Sequence, residues 1–372
     1  METEYAVIGG GVVGMAVAYG LQKLGKQVLV LDEGDSSLRA SRGNFGLIWV
    51  QGKGGVKAPH YAKWSQRSAS LWQTLADELQ QQTNINLHLQ QTGGFEYHTS
   101  KIELQTNIEE YEAIRQAVGG DYPFDVLSHE QLKVEEPAIG DKVIGAILHH
   151  QDGHVNPLFL LSAFYTAFQN LGGQLQNDDK VTLVKPLASG FQLQTAAGKQ
   201  IKAQKVLLCA GLGAAEFTNA LGFKAEVSPL RGQNLVTEKL PRFMNRPSGV
   251  VRQVNEGGVQ IGDSKENVGF DDGNTLKVAA RMAKQAVDLF PILGKARMVR
   301  NWGALRIMSK DGMPIYNESS EYPGAFLITC HSGITLAAAH ALLLPLWLEE
   351  RDNAPALEKF HENRFDVATT ST

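Results

Sequence analysis

The 372 residues are 43% hydrophobic and 20% charged, enough apolar material for a large core arranged as two domains or one bilobed unit. The formal net charge is −4 with no block of like charges, and no basic stripe marks a nucleic-acid binder. Cys209 and Cys330 are the two cysteines and neither sits in a CxxC pair, which speaks against a disulfide framework and a structural zinc site.

In chain order, "YAVIGGG" reads as a buried strand running into a tight turn, "VGMAVAYGLQKLG" as a helix ended by Gly25, and "QVLVLDE" as a second strand. Strands that are apolar almost throughout indicate a parallel sheet covered on both faces, so residues 5–33 form a βαβ unit. A glycine-rich segment follows at 39–58. Helices are expected at Tyr61–Gln82, 102–118, 158–171 and 275–289, and strands at 93–99, 146–150 and through 181–208. "KVLLCAG" is another buried strand opening on a glycine; "LRGQNLVTE", "GGVQIGDS" and part of "RNWGALRIMSKDGMPIY" follow as strands. "AFLITCHSGITLAAAHALLLPLWLE" reads as strand, turn and long helix. The expected fold is α/β. A discontinuous Rossmann-like nucleotide domain comes from 1–60, 146–225 and 300–372, and an inserted α+β substrate domain on an antiparallel sheet comes from 61–145 and 226–299.

Acidic Glu2 and Glu4, not a basic segment, precede the first apolar run, and glycines cut that run short, which argues against a secretory signal. No apolar span of membrane-crossing length occurs. The expectation is a cytoplasmic protein, with peripheral association at the inner face of the membrane left open.

Gly9, Gly11 and Gly14 satisfy G-x-G-x-x-G, with Val12 and Val13 at the helix start. The first glycine permits the sharp turn, the second lets backbone approach a pyrophosphate, and the third lets helix pack on strand. The helix N-terminus then offers N–H groups to phosphates. Asp32 ends the second strand where an acid can accept from ribose hydroxyls; Glu33 is its neighbour, and strand alternation sends the two to opposite faces, favouring Asp32. An acid there disfavours a 2′-phosphate and leaves FAD or NAD. Three later stretches favour FAD. "RASRGNFG", with Ser41, Arg42, Asn44, Phe45 and Gly46, suits the far half of an extended flavin cofactor. Val181, and Ala210 with Gly211 in "KVLLCAG", form a second contact region. Ser332, Gly333, Ile334 and Thr335 in "CHSGITLAAAHA" open a helix, capped by Ser332 or Thr335, whose positive end would face the charge of a reduced flavin. Each stretch also reads as an ordinary turn, core strand or surface cap.

Taken together and in this order, "VIGGGVVGMAVAYGL", "VLVLDEG", "ASRGNFG", "DGHVNP", "VLLCAGLGA", "PLRGQNLVTE", "WGALRIMSKDGMPIY" and "CHSGITLAAAHA" resemble the FAD-dependent amine and amino-acid oxidoreductases of the D-amino-acid oxidase superfamily, over essentially the whole chain. The resemblance implies non-covalent FAD and oxidation of a substrate C–N bond by hydride transfer to flavin N5, giving an imine that hydrolyses. The implied substrate is a D-amino acid, a glycine- or sarcosine-like amine, or a cyclic imino acid. Arg306 in "GALRIMSKDGMP" falls on the family arginine that grips a substrate carboxylate, although Ile307 replaces the usual proline; a structural pairing with Asp311 is the alternative. Arg231 in "LRGQ" falls on a strand at the domain junction. Trp49, His60, Tyr61 and Tyr97 are candidate pocket walls or core residues. Gln260 stands where some members carry a lysine that helps oxygen react, which tilts toward a dehydrogenase using an electron carrier. Cys330 is expected to stay unattached to flavin. His149, His150 and His154 lack helical spacing, so no metal site is expected, and no G-x-S-x-G elbow occurs. The alternatives are a flavin subunit of a multi-subunit amino-acid dehydrogenase passing electrons to a partner, within a homo- or hetero-oligomer, and an NAD-dependent dehydrogenase.

Overall fold

In the computed structural model, which describes residues 1–34, 40–262 and 264–366, the first apolar run is the strand Glu2–Ile8, and its last four residues are buried. It pairs in parallel with Val28–Leu31 on one side and Gln200–Leu208 on the other. Gln174–Gln176 extends the sheet beyond Val28–Leu31, and Ala325–Thr329 extends it beyond Gln200–Leu208, both in parallel. Ile315–Glu318 is added antiparallel at that edge. Val28–Leu31 and Ala325–Thr329 are buried along their whole length, as strands covered on both faces must be. Helices Val12–Lys23, Pro59–Thr83, Pro157–Asn170 and Ala337–Leu342 share one core on one side. The antiparallel pair Val181–Pro186 and Phe191–Thr195, with the turns at 211–221, builds a second core on the other.

The rest is antiparallel. Val227–Lys239 runs beside Met298–Ser309, and on its other side beside Gly258–Ile261, which pairs with Val251–Gln253. Gly145–His149 lies between Gly94–His98 and Phe124–Ser128. A bridge from Phe95 to Ser248 joins these two sheets, and helix Leu276–Leu289 packs on them in a third core.

This pairing alters three expectations. The helix expected at Tyr61–Gln82 is Pro59–Thr83, and it lies against the nucleotide side. Trp72 Nε1 and Ser68 Oγ both donate to the Thr335 carbonyl, at 3.1 and 2.7 Å, and Trp72 and Leu75 share the core of Tyr5. Conversely, Gly145–His149 and Met298–Ser309 belong to the antiparallel sheets, so the boundaries expected at 146 and 300 fall inside or beside the wrong strands. Gly145–His149 is short and buried throughout, like a parallel strand, and nothing local in Met298–Ser309 marks its antiparallel partner. The long C-terminal helix is two short ones, Ala337–Leu342 and Leu344–Leu348, because Pro345 has no N–H to donate and disfavours helical geometry just before it.

Candidate active site

The strand Glu2–Ile8 ends at Gly9 and the next helix begins at Val12. A side chain at Gly14 would stand 2.0 Å from the Gly9 carbonyl, and one at Gly9 (φ +107°) 2.6 Å from the Cys209 carbonyl, so helix and strand meet at a distance only glycine allows. This turn, including Gly11, Val12 and Val13, lines a cavity of about 330 Å³. Asp32 faces it and accepts from the N–H groups of Gly10 (2.6 Å) and Gly34 (2.9 Å), which orient the carboxylate while leaving lone pairs for hydroxyl donors. Strand pairing stops at Leu31, so alternation ends there as well. Glu33 therefore lines the same cavity as Asp32 instead of facing away, and it lies 3.8 Å from Lys180. Ser41 Oγ accepts from the Val12 N–H at 3.0 Å; Arg42, Val181, Ala210 and Gly211 complete the expected lining. Tyr165, which nothing in the local sequence marks, donates to the Gly10 carbonyl at 2.7 Å.

A second cavity of about 1340 Å³ adjoins the first, with Ala40, Leu305 and Ile307 lining both. Asn44, Phe45, Trp49 and Tyr97 face it, as do residues 332–335. Gly46 lies behind this wall, where a side chain would stand 2.5 Å from the Val155 carbonyl. Neither Ser332 nor Thr335 caps a helix, which starts only at Ala337. Instead Thr335 Oγ1 accepts from the Trp49 N–H at 3.1 Å and straps 47–49 to the C-terminal segment, while Ser332 Oγ receives the Tyr61 hydroxyl at 2.9 Å.

Arg306 projects from Met298–Ser309 at the register position opposite Leu230 and lines this cavity. Its guanidinium lies over Gly232, where a Cβ would meet it at 2.6–2.8 Å, and Nη1 donates to the Ser264 carbonyl at 2.6 Å. Asp311, the alternative structural partner, pairs with Arg364 at 2.8 Å. Four candidate pocket residues do not line the cavity. Tyr61 is buried behind Ser332, to which its hydroxyl donates. His60 packs edge-on against Phe360, 5.2 Å between rings. Arg231, 3% exposed, pairs with Glu266 (2.8 Å) and Asp271 (2.5 Å), and so works within the antiparallel sheet. Gln260 accepts from Arg252 Nε at 2.6 Å; this buried arginine also donates to the Val155 carbonyl at 2.9 Å and lies over the Phe45 ring.

The sequence reading also missed Lys53 and His331, both on the wall of the larger cavity. Burial, and then the charges of Lys53, Arg306 and Lys265, push the His331 imidazole down to about 3, so it is neutral. Burial lowers the Lys53 ammonium to about 8, partly opposed by Asp152. Cys330 is a free, buried thiol raised to about 12 by burial. Among the described residues no group of acids, histidines and cysteines could hold a metal ion, and no helix is long and apolar enough to cross a membrane.

A backbone cradle closed to side chains, a carboxylate set at the strand end and a larger chamber next door suit an extended dinucleotide with a broad ring. The comparisons agree. An opine oxidase subunit of Rhizobium meliloti is 39% identical over 367 residues, covering 98% of each chain. A glycine oxidase of Geobacillus kaustophilus (strain HTA426) is 25% identical over 97% of each chain. The crystal structure of glycine oxidase from Geobacillus kaustophilus superposes with a TM-score of 0.90 at 23% identity, covering 97% of this chain and 98% of that one. Residues 4–344 match the FAD dependent oxidoreductase (DAO) family, and the chain belongs to that family of FAD-dependent enzymes.

Proposed function

We propose that this chain oxidises the C–N bond of a small, carboxylate-bearing amine or amino acid. Held by the Gly9–Gly14 turn, Asp32 and the 332–335 segment, FAD would supply the acceptor for the hydride leaving the carbon beside the nitrogen, and the resulting imine would hydrolyse in water. The observation that carries this reading is the placement of Arg306, whose guanidinium lines the larger cavity from strand Met298–Ser309. A planar guanidinium takes a carboxylate through two parallel hydrogen bonds, which fixes the adjoining carbon as well as the charge. His331, neutral beside it, adds no competing positive charge. Tyr97 also lines the cavity; burial holds its phenol protonated, so it can donate but not act as a base near neutral pH. The names of the relatives, glycine oxidase and an opine oxidase subunit, support a nitrogen-bearing substrate with a carboxylate.

The test is anaerobic bleaching of the flavin band by a panel of D- and L-amino acids, glycine, N-alkyl amino acids and cyclic imino acids. At least one class is expected to bleach it; a protein that purifies without flavin, or one that no member reduces, would defeat the reading. Cys330 is a buried thiol, so FAD is taken to be held without a covalent bond; acid precipitation should release all flavin to the supernatant.

A second reading concerns the electron acceptor. One relative is named as a subunit, and Phe270, 74% exposed, stands at the rim of the dinucleotide cavity. This favours delivery to a partner protein. Admitting air to the reduced enzyme decides: slow reoxidation supports a partner, and reoxidation at turnover speed supports oxygen.

A further inference from the structure

Ser332 sits on the wall of the larger cavity, and its hydroxyl is loaded from two sides. Lys53 Nζ donates to Ser332 Oγ at 2.6 Å, and the Tyr61 hydroxyl donates to it at 2.9 Å. Both donors are set by the fold. The run leading to Lys53 is pinned by the Val50 N–H on Asp152 Oδ1 at 2.5 Å and the Gly52 N–H on the Tyr122 hydroxyl at 2.9 Å. Tyr61 is buried on helix Pro59–Thr83, and that burial holds its phenol protonated. A serine hydroxyl has two lone pairs and one hydrogen, so both lone pairs are taken and the hydrogen must go elsewhere. Among the described residues its acceptor is His331 Nδ1, at 3.4 Å. An imidazole that accepts at Nδ1 carries its hydrogen on Nε2. His331 lies on the same cavity wall and is neutral, so this N–H is the single donor its ring offers.

Arg306 lines the cavity too, and its charge reaches His331. Arg306 Nη1 already donates to the Ser264 carbonyl at 2.6 Å. A carboxylate offers about four lone-pair positions, and a guanidinium fills two of them. Taken out of water, the remaining positions need donors of their own. A neutral N–H beside Arg306 meets that need without setting a second positive charge against the guanidinium. We propose that His331 Nε2–H donates to the substrate carboxylate held at Arg306, and that Ser332 is the positioning residue that keeps the hydrogen on that nitrogen. This inference rests on the proposed amine oxidation and adds a residue to its substrate site.

The test uses the FAD-loaded protein and methoxyacetate, an unreactive carboxylate whose ether oxygen replaces the amine. Long-range proton–nitrogen correlation spectra of protein carrying isotope-labelled histidine report the tautomer of each imidazole. His331, assigned by sequential correlation and so without a variant, should show the Nε2–H form, and its Nε2 resonance should move as methoxyacetate saturates the site. The Nδ1–H form, or an Nε2 resonance that ignores saturating methoxyacetate, would overturn the inference. Flavin difference spectra give the affinity. His331→Leu should weaken methoxyacetate roughly 10- to 100-fold, whereas His331→Gln, which keeps an N–H donor, should recover most of the loss. Equal loss in the two variants would also overturn the inference, by reducing His331 to packing. Ser332→Ala should bring the Nδ1–H form into the spectrum; a tautomer unchanged in that variant would take the positioning role from Ser332. If methoxyacetate binds alike to the unaltered protein and to Arg306→Met, the proposed function and this inference fall together. If its binding needs Arg306 but leaves His331 unmoved, the inference alone falls.

Discussion

Arg306 and Lys53 differ in how far the sequence reveals them. Arg306 sits in a strand whose neighbours, Gly303 and Asp311-Gly312, are close in the chain, so its motif is local and its position on the cavity wall could be anticipated. Lys53 depends on Asp152, Tyr122 and Ser332, all from distant segments, and "GKGG" by itself says only turn. The same limit explains Arg231 and Gln260. Their residue types suit a pocket, but their partners Glu266, Asp271 and Arg252 are met only in the folded sheet. If Arg306 fixes the substrate carboxylate, Arg306→Met should lower kcat/KM on the order of 100-fold, measured by steady-state kinetics, with flavin content unchanged. Gly14→Ala should act at the other end of the site. Its new methyl would lie 2.0 Å from the Gly9 carbonyl, and the strain of roughly 1–3 kcal/mol falls on the phosphate turn. The purified variant should show a lower ratio of flavin to protein absorbance than the parent.

Elements were legible where a single period governs them. The ends of strands Glu2–Ile8 and Gln200–Leu208, and all of Ala325–Thr329, read as buried from their short apolar runs, and helix Pro59–Thr83 from its stripe of Trp64, Trp72, Leu75 and Leu79. Which sheet a strand joins was not legible, since Met298–Ser309 chooses Val227–Lys239 through long-range pairing that leaves no local mark. The C-terminal pair of short helices ends at Glu349, which binds Lys205 at 3.2 Å and also holds Lys26 and the Tyr5 hydroxyl, tying that end to the central strands. Burial raises its carboxyl, but hydrogen bonds from Lys26, Tyr5 and Lys205 outweigh this and hold it at about 2. Its folded value lies below its ordinary one, so the stability it contributes is complete above about 4.5 and is lost as pH falls toward about 2. Glu349→Ala should therefore destabilise on the order of 2–3 kcal/mol at neutral pH, with the gap to the parent closing across that acid window in thermal melts.

For the whole molecule, the two adjoining cavities carry the functional account. The smaller centres on the parallel sheet and its first crossover, with Leu305 and Ile307 of the antiparallel sheet closing one side, and the larger lies where both sheet systems and the 332–335 strap converge. The nucleotide half was legible because a dinucleotide imposes a compact sequence signature, whereas the substrate half is assembled from single residues of separate strands. The claim that joins the halves is that this FAD enzyme oxidises an amine held by its carboxylate. The most direct measurement is anaerobic flavin reduction of the unaltered protein by N-methyl amino acids, set against the same amines lacking the carboxylate. The account predicts bleaching by the acids and little or none by the carboxylate-free amines. Equal or faster bleaching by the carboxylate-free amines would contradict it.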